Sequence, residues 1–81
     1  MSARKRLELF FPAGLVRQPV MHRLSKAFEV VFNIRRARIS DSTGEMVLEL
    51  EGAPEVLEEA VEWLRKQGVR VEPVTHDTVE G

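Results

Sequence analysis

The chain of 81 residues contains no cysteine and no tyrosine, with only one tryptophan and four phenylalanines. The absence of cysteine excludes disulfides, thiolate metal sites, iron–sulfur clusters and a cysteine nucleophile. An excess of one charge is also missing, because 12 Lys and Arg stand against 13 Asp and Glu and leave a formal net charge of −1. A chain so close to neutral has no overall electrostatic field that would attract nucleic acid or a membrane surface.

Long apolar runs are missing as well. The first residues are basic and then alternate between polar and apolar, so they lack the continuous apolar segment of a signal peptide. No stretch approaches the roughly 20 apolar residues of a membrane-spanning helix. With 43% hydrophobic and 31% charged residues, the composition is typical of a soluble globular domain. We therefore expect one small cytoplasmic domain without membrane insertion.

Hydrophobic periodicity predicts four strands and two helices in the order βαββαβ. In the first strand, Leu7, Leu9 and Phe11 share one face. Each helix begins near a proline, a position that tolerates this residue. The predicted strands are residues 7–11, 30–40, 46–51 and 69–72, the predicted helices are residues 19–28 and 54–67, and residues 12–18 are expected to form a loop.

This order is typical of a ferredoxin-like sandwich, an α+β fold in which two helices cover one face of a four-stranded antiparallel sheet. Right-handed crossovers place the strands in the spatial order four, one, three, two. In the second strand, we expect Ala37 and Ile39 to face inward and Arg36 and Arg38 to face the other way. Trp63, on the apolar stripe of the second helix, is expected to be the largest single contributor to the core.

The face of the sheet away from the helices, called the open face below, is predicted to be mostly charged. Opposite charges fall on neighbouring strands, which favours cross-strand pairs. RNA recognition by such a face requires aromatic residues on both central strands, whereas Glu49 and Glu51 occupy one of them and would repel phosphate. We expect a self-neutralising surface or half of a protein interface, with no nucleic-acid partner. The open-face residues are Arg6, Glu8, Phe10, Arg36, Arg38, Val47, Glu49, Glu51, Arg70 and Glu72.

Residues arranged for catalysis or metal binding are not apparent in the sequence. His22 and His76 are the only histidines, and neither has a third ligand at helical spacing, as a zinc site would require. Ser25 lies near His22, but no carboxylate is positioned to orient that pair. Gly14 and Gly44 are isolated rather than part of a phosphate-binding loop. We expect no catalytic residue, no metal and no cofactor, so the domain is not expected to be an enzyme.

Residues 28–39, with the sequence Phe-Glu-Val-Val-Phe-Asn-Ile-Arg-Arg-Ala-Arg-Ile, resemble the signature of the NIL domain family. That signature is a phenylalanine, a short β-rich link, and then Asn-Ile-apolar-x-Ala-x-Ile leading into the second strand. Arg35 departs from it, because it replaces the apolar third letter. The resemblance extends to the Phe-Pro end of the first strand and to residues 48–52 and 60–69. It predicts a NIL-type domain over residues 4–74, followed by a polar tail at residues 75–81.

The resemblance implies the same ferredoxin-like fold and a regulatory function. NIL domains lie at the C-terminus of the ATP-binding subunit of methionine importers, where they form dimers that bind methionine at the interface and inhibit transport. Others are fused to iron–sulfur ferredoxin modules in proteins of sulfur metabolism. Since neither a Walker sequence nor cysteine is present, we expect a free-standing domain. As a homodimer it would bind methionine or a related sulfur amino acid.

The resemblance marks Asn33 as the residue that contacts this ligand. Phe32, Ile34 and Met46 are candidates for the apolar wall around the thioether. Two alternatives remain open at this point. Asn33 is equally compatible with a capping or turn role, and the domain is compatible with an interaction module that binds no ligand and docks onto a transporter or sulfur-metabolism protein.

Overall fold

A computed structural model describes residues 2–74, and the predicted tail at residues 75–81 lies outside the described residues. The described elements are β1 (Ala3–Phe11), α1 (Ala13–Val16), α2 (Val20–Ala27), β2 (Val31–Ile39), β3 (Gly44–Gly52), α3 (Pro54–Lys66) and β4 (Arg70–Pro73). The strands form one antiparallel sheet in the order β2-β3-β1-β4. Read from the β4 edge, this is the predicted order, and the ferredoxin-like α+β fold is confirmed.

The core lies between the helices and the two central strands. Leu7, Leu9 and Phe11 of β1 are buried, as the alternation of this segment predicts. Burial of these side chains removes apolar surface from water, which is the main stabilising contribution to a small domain. The other buried residues are Val20, Leu24, Leu48, Leu50, Leu57, Ala60, Leu64, Val69 and Val71.

Residues 13–16 form the short helix α1, so the prediction of a continuous loop over residues 12–18 is wrong. The backbone N–H of Leu15 donates to the Pro12 carbonyl at 2.8 Å, and that of Gln18 donates to the Leu15 carbonyl at 3.0 Å. Leu15 and Val16 pack against the core. This tertiary packing stabilises a single helical turn that the local sequence does not favour by itself.

The second strand is more exposed than predicted. Ala37 pairs with Met46 and Ile39 with Gly44, which places Ala37 and Ile39 on the helix side of the sheet. This is the inward direction that the sequence predicts, but both residues remain exposed, with Ile39 at 57%, so neither is part of the buried core. The reason is the position of β2 at the sheet edge, since α3 packs mainly against β1, β3 and β4.

Trp63, the expected largest contributor to the core, is half-buried and is not among the fully buried residues. Its ring meets that of Phe28 edge-to-face, with centroids 6.1 Å apart and an interplanar angle of 73°. Both side chains pack against the outside of the buried cluster. The largest fully buried side chains are leucines, and two of them, Leu57 and Leu64, lie on the apolar stripe of α3.

Candidate functional site

Asn33 lies on β2 and pairs with Glu49 of β3. Arg6 of β1 pairs with the same Glu49, so Asn33 faces the open side of the sheet. It lines a groove of about 330 Å³ on this face. We call this the Asn33 groove, and its lining residues are Arg4, Val31, Asn33, Arg35, Glu49 and Glu51.

Glu49 is the electrostatic centre of the Asn33 groove. Its Oε2 accepts hydrogen bonds from Arg6 Nη2 at 2.6 Å and Arg6 Nε at 3.2 Å. Its other oxygen lies 3.9 Å from Arg35 Nη1. The hydrogen bond from Arg6 lowers the pKa of Glu49, partial burial opposes it, and the charges of Arg6, Arg35 and Arg4 lower the pKa further. The carboxylate is therefore held ionised among guanidinium groups.

The groove presents three kinds of polar group to a ligand. The Asn33 amide offers both a donor and an acceptor. The Arg35 side chain is half-exposed, with its Nη1 3.9 Å from Glu49. The Glu51 carboxylate lies 4.0 Å from Arg4 Nη2 and is also half-exposed. A molecule that carries both an ammonium and a carboxylate would find an oppositely charged group for each end.

Phe32, Ile34 and Met46, the predicted apolar wall, lie on the opposite side of the sheet. Phe32 pairs with Leu50 and Ile34 with Leu48, and both leucines are fully buried under the helices. Of the four predicted site residues, the structure places only Asn33 in the groove. The physical reason is the period of two, because neighbours in a strand point to opposite faces.

Sequence reasoning did not assign Arg4, Arg35, Glu49 and Glu51 to the same site as Asn33. The relevant signal was the alternation of the first and third strands, which already placed Glu49 and Glu51 on the open face. What the sequence did not reveal is the register that brings Glu49 opposite Asn33. A register shift between Ile34 and Arg36 makes Arg35 an extra residue in β2, as in a β-bulge.

A second cavity, called the apolar pocket below, lies on the helix side near the β2–β3 turn. Its volume is about 190 Å³, and Met46 lines it together with Phe11, Leu15, Met21 and Ile39. The sheet separates this pocket from the Asn33 groove. A single methionine therefore does not contact both Asn33 and Met46 of one copy.

The other features considered in the sequence are the two histidines and Phe10. Within residues 2–74, no group of three or more His, Cys, Asp and Glu is placed to hold a metal ion. His22 is exposed, and the nearby Ser25 hydroxyl donates to its carbonyl at 2.7 Å, while His76 lies outside the described residues. The ring of Phe10 on the open face is covered by the Arg70 guanidinium, 4.4 Å from its centroid.

Within residues 2–74, no helix is both long and apolar enough to cross a membrane.

The comparisons with known proteins give a family from one search and a fold from another. The family model described as the NIL domain matches residues 5–73. The chain is similar to a solved C-terminal domain of an ABC transporter ATP-binding protein from Enterococcus faecalis, with 22% identity and a TM-score of 0.79, covering 90% of this chain and 86% of that chain.

Two de novo designed proteins have the same fold. Foldit4 is 12% identical with a TM-score of 0.57, covering 94% of this chain and 99% of its own. Ferredog-Diesel is 20% identical with a TM-score of 0.51, covering 89% of this chain and 86% of its own. These structural similarities concern the fold alone. No curated protein matches the chain significantly in sequence.

Proposed function

The chain belongs to the NIL domain family, and from this premise we propose that it is a cytoplasmic regulatory domain that binds methionine or a related sulfur amino acid at a homodimer interface. The observation that carries the proposal is the position of Asn33. The residue that the family motif marks lies in a groove with guanidinium and carboxylate groups on either side. This combination suits the zwitterionic end of an amino acid.

The need for an apolar cover supports the dimer in this proposal. Among the described residues that line the Asn33 groove, only Val31 is aliphatic, and its side chain is 66% exposed. A thioether requires an apolar surface on more than one side to leave water favourably. A second copy placed over the groove would add its own exposed Val31 and exclude water from the ligand. The mixed charges of the open face also suit a two-fold contact, in which each patch meets its own copy.

The proposal is tested by isothermal titration of the chain with L-methionine, L-homocysteine, L-cysteine and L-leucine. We expect saturable heat with methionine at one site per chain or per dimer, and loss of that heat in Asn33→Ala. The matched control is Gln67→Ala, which removes another side-chain amide at the end of α3 and should leave binding unchanged. Flat titrations with all four amino acids on the folded protein would overturn the sensor function.

A second candidate function is supported by the exposed apolar side chains of β2. Val31, Ile34 and Ile39 are 66%, 46% and 57% exposed, and all three lie on the same edge strand. Apolar residues left at a sheet edge are typical of a surface that another chain covers. In this alternative, the domain docks onto a transporter or sulfur-metabolism protein without binding a ligand. It would tolerate Asn33→Ala and respond to substitutions along β2.

A further inference from the structure

The two edges of the sheet differ in their readiness to accept another strand. Over the described residues, β2 pairs with β3 alone, so its outer backbone N–H and C=O groups have no strand partner. All nine residues of β2 are exposed or half-buried. The opposite edge, β4, has four residues and ends at Pro73, which cannot donate a backbone hydrogen bond. The long accessible edge is therefore β2.

The charge along β2 is unbalanced. This strand contains Arg35, Arg36 and Arg38 and no acidic residue. Within residues 2–74, the ion pairs involve Arg35 but neither Arg36 nor Arg38. At the other edge, Arg70 Nε lies 3.2 Å from Glu72 Oε2. The β4 edge thus has an ion pair of its own. Arg36 and Arg38 at the β2 edge form none with the described carboxylates, although Glu8 and Glu45 line a small groove with them.

The side chains of β2 beyond the bulge alternate in chemistry as well as direction. Arg36 and Arg38 face the open side of the sheet, while Ala37 and Ile39 face the helix side. Ile39 also lines the apolar pocket. The inner neighbour β3 has the complementary alternation, with Glu45 opposite Arg38 and Met46 opposite Ala37. A strand added along the outer edge of β2, with the same alternation as β3, would place acidic side chains beside Arg36 and Arg38. It would also place an apolar side chain next to the apolar pocket.

We propose that the outer edge of β2, over residues 35–39, binds an extended segment of a partner protein in which acidic and apolar side chains alternate. Backbone hydrogen bonds to the free edge provide affinity, and the two faces of the added strand provide specificity. A second copy of β2 is a poor occupant, because its own arginines would bring six guanidinium groups into one strand pair. This surface shares only Arg35 with the Asn33 groove and does not depend on an amino-acid ligand.

The probe is a fluorescein-labelled nonapeptide of alternating Glu and Val, titrated with the full chain and followed by fluorescence anisotropy. We expect saturable binding at low salt that weakens as salt rises, because exposed charges are screened over about 10 Å at 0.1 M salt. The corresponding Lys–Val peptide should not bind. A Glu–Val peptide with a central proline should bind more weakly, since proline removes a ladder hydrogen bond.

The decisive variant is Arg36→Glu/Arg38→Glu, which should weaken binding at least about tenfold, because two attractions become repulsions. Arg23→Glu/Lys26→Glu is the matched control, since it changes the net charge equally on the exposed surface of α2 and should leave the affinity unchanged. Thermal unfolding establishes that both variants are folded. Arg36→Gln/Arg38→Gln, which removes charge without reversing it, should show a smaller loss of affinity.

Several outcomes would overturn the proposal. One is equal affinity of the wild type and the Arg36→Glu/Arg38→Glu variant for the Glu–Val peptide. Another is no binding by the wild type at millimolar peptide. Tighter binding of oligo(dT) than of peptide, lost in the same variant, would assign the edge to nucleic acid. Self-association that disappears in this variant, with no peptide binding, would assign it to a second copy.

Discussion

Glu49 is the residue on which the polar structure of the open face depends. It accepts two hydrogen bonds from Arg6 and lies near Arg35, while its side chain is only 17% exposed. One carboxylate therefore links β1, β2 and β3 on the side of the sheet that lacks helices. The same residue borders Asn33, so it orders the Asn33 groove as well as the sheet.

The lowered pKa of Glu49 predicts a pH dependence of stability. The hydrogen bond from Arg6 is the largest cause that holds this pKa below its ordinary value of 4.5. The ionised carboxylate therefore stabilises the fold above the ordinary value, and this stabilisation is lost as the pH falls through the folded-state pKa. We expect the urea midpoint of the wild type to fall between about pH 5 and about pH 3 more steeply than that of Glu49→Gln.

The control for this prediction is Glu72→Gln, which removes the same charge from an exposed pair at the β4 edge. Its urea midpoint should follow the pH dependence of the wild type closely, because exposed ion pairs contribute little. Parallel curves for the wild type and Glu49→Gln would show that Glu49 contributes no pH-dependent stability.

At the scale of elements, the end of α3 depends on Gly68. This glycine has a φ of 102°, a left-handed conformation that side chains disfavour. Its N–H donates to the Arg65 carbonyl at 3.0 Å, and the N–H of Val69 donates to the Leu64 carbonyl at 3.1 Å. These bonds satisfy the last carbonyls of the helix and turn the chain into β4.

We expect Gly68→Ala to destabilise the domain by about 1–3 kcal/mol, because the backbone remains left-handed. A Cβ there would also meet Leu15 Cδ1 at 3.4 Å. Gly14→Ala is the matched control, since a Cβ at this helical position has open space. It should be neutral or stabilising by up to about 1 kcal/mol. Urea unfolding monitored by Trp63 fluorescence measures both, and equal midpoints for the two variants would contradict the prediction.

The bulge at Arg35 is the second feature that operates at the scale of elements. Arg35 is the extra residue between Ile34 and Arg36. Because the bulge takes up this residue, the side chains of residues 36–39 keep the faces that their own alternation predicts. Arg36 and Arg38 therefore remain on the open side, as the sequence predicts. The bulge also separates β2 into a first part that contributes Asn33 and a second part that forms the proposed docking edge.

For the whole molecule, the two sides of the sheet have different roles. The helix side contains the apolar core, whereas the open side contains pairs such as Arg6–Glu49 and Arg4–Glu51. The proposed dimer brings this charged face of one copy against the same face of a second copy. The proposed sensor uses this surface, so its oligomeric state should respond to ligand.

We expect light scattering at high protein concentration to give the mass of a dimer, with a larger dimer fraction when methionine is added. Thermodynamic linkage requires the dimer fraction to rise, since a ligand that binds at the dimer interface stabilises the dimer relative to the monomer. Asn33→Ala should remain folded and dimeric and lose the response to methionine. A strictly monomeric mass with and without methionine would contradict the proposed interface.

The sequence by itself determined the fold, because its apolar residues recur with periods that match strands and helices of one order. Leu7, Leu9 and Phe11 are buried, and the charged neighbours Arg6 and Glu8 lie half-buried on the opposite face, as alternation requires. Local patterns sufficed here, since the side-chain direction of each residue follows from its place in an element. Residues 28–39 also contain the motif that resembles the family signature, and the family model matches residues 5–73.

Only the tertiary structure decided which residues share a site and which are covered. The exposure of Ala37 and Ile39 depends on where the helices pack, and α1 is stabilised by contacts of Leu15 and Val16 with distant residues. The separation of Asn33 from Met46 depends on the register of β2 with β3. Packing and register join residues far apart in the chain, so no local pattern contains them.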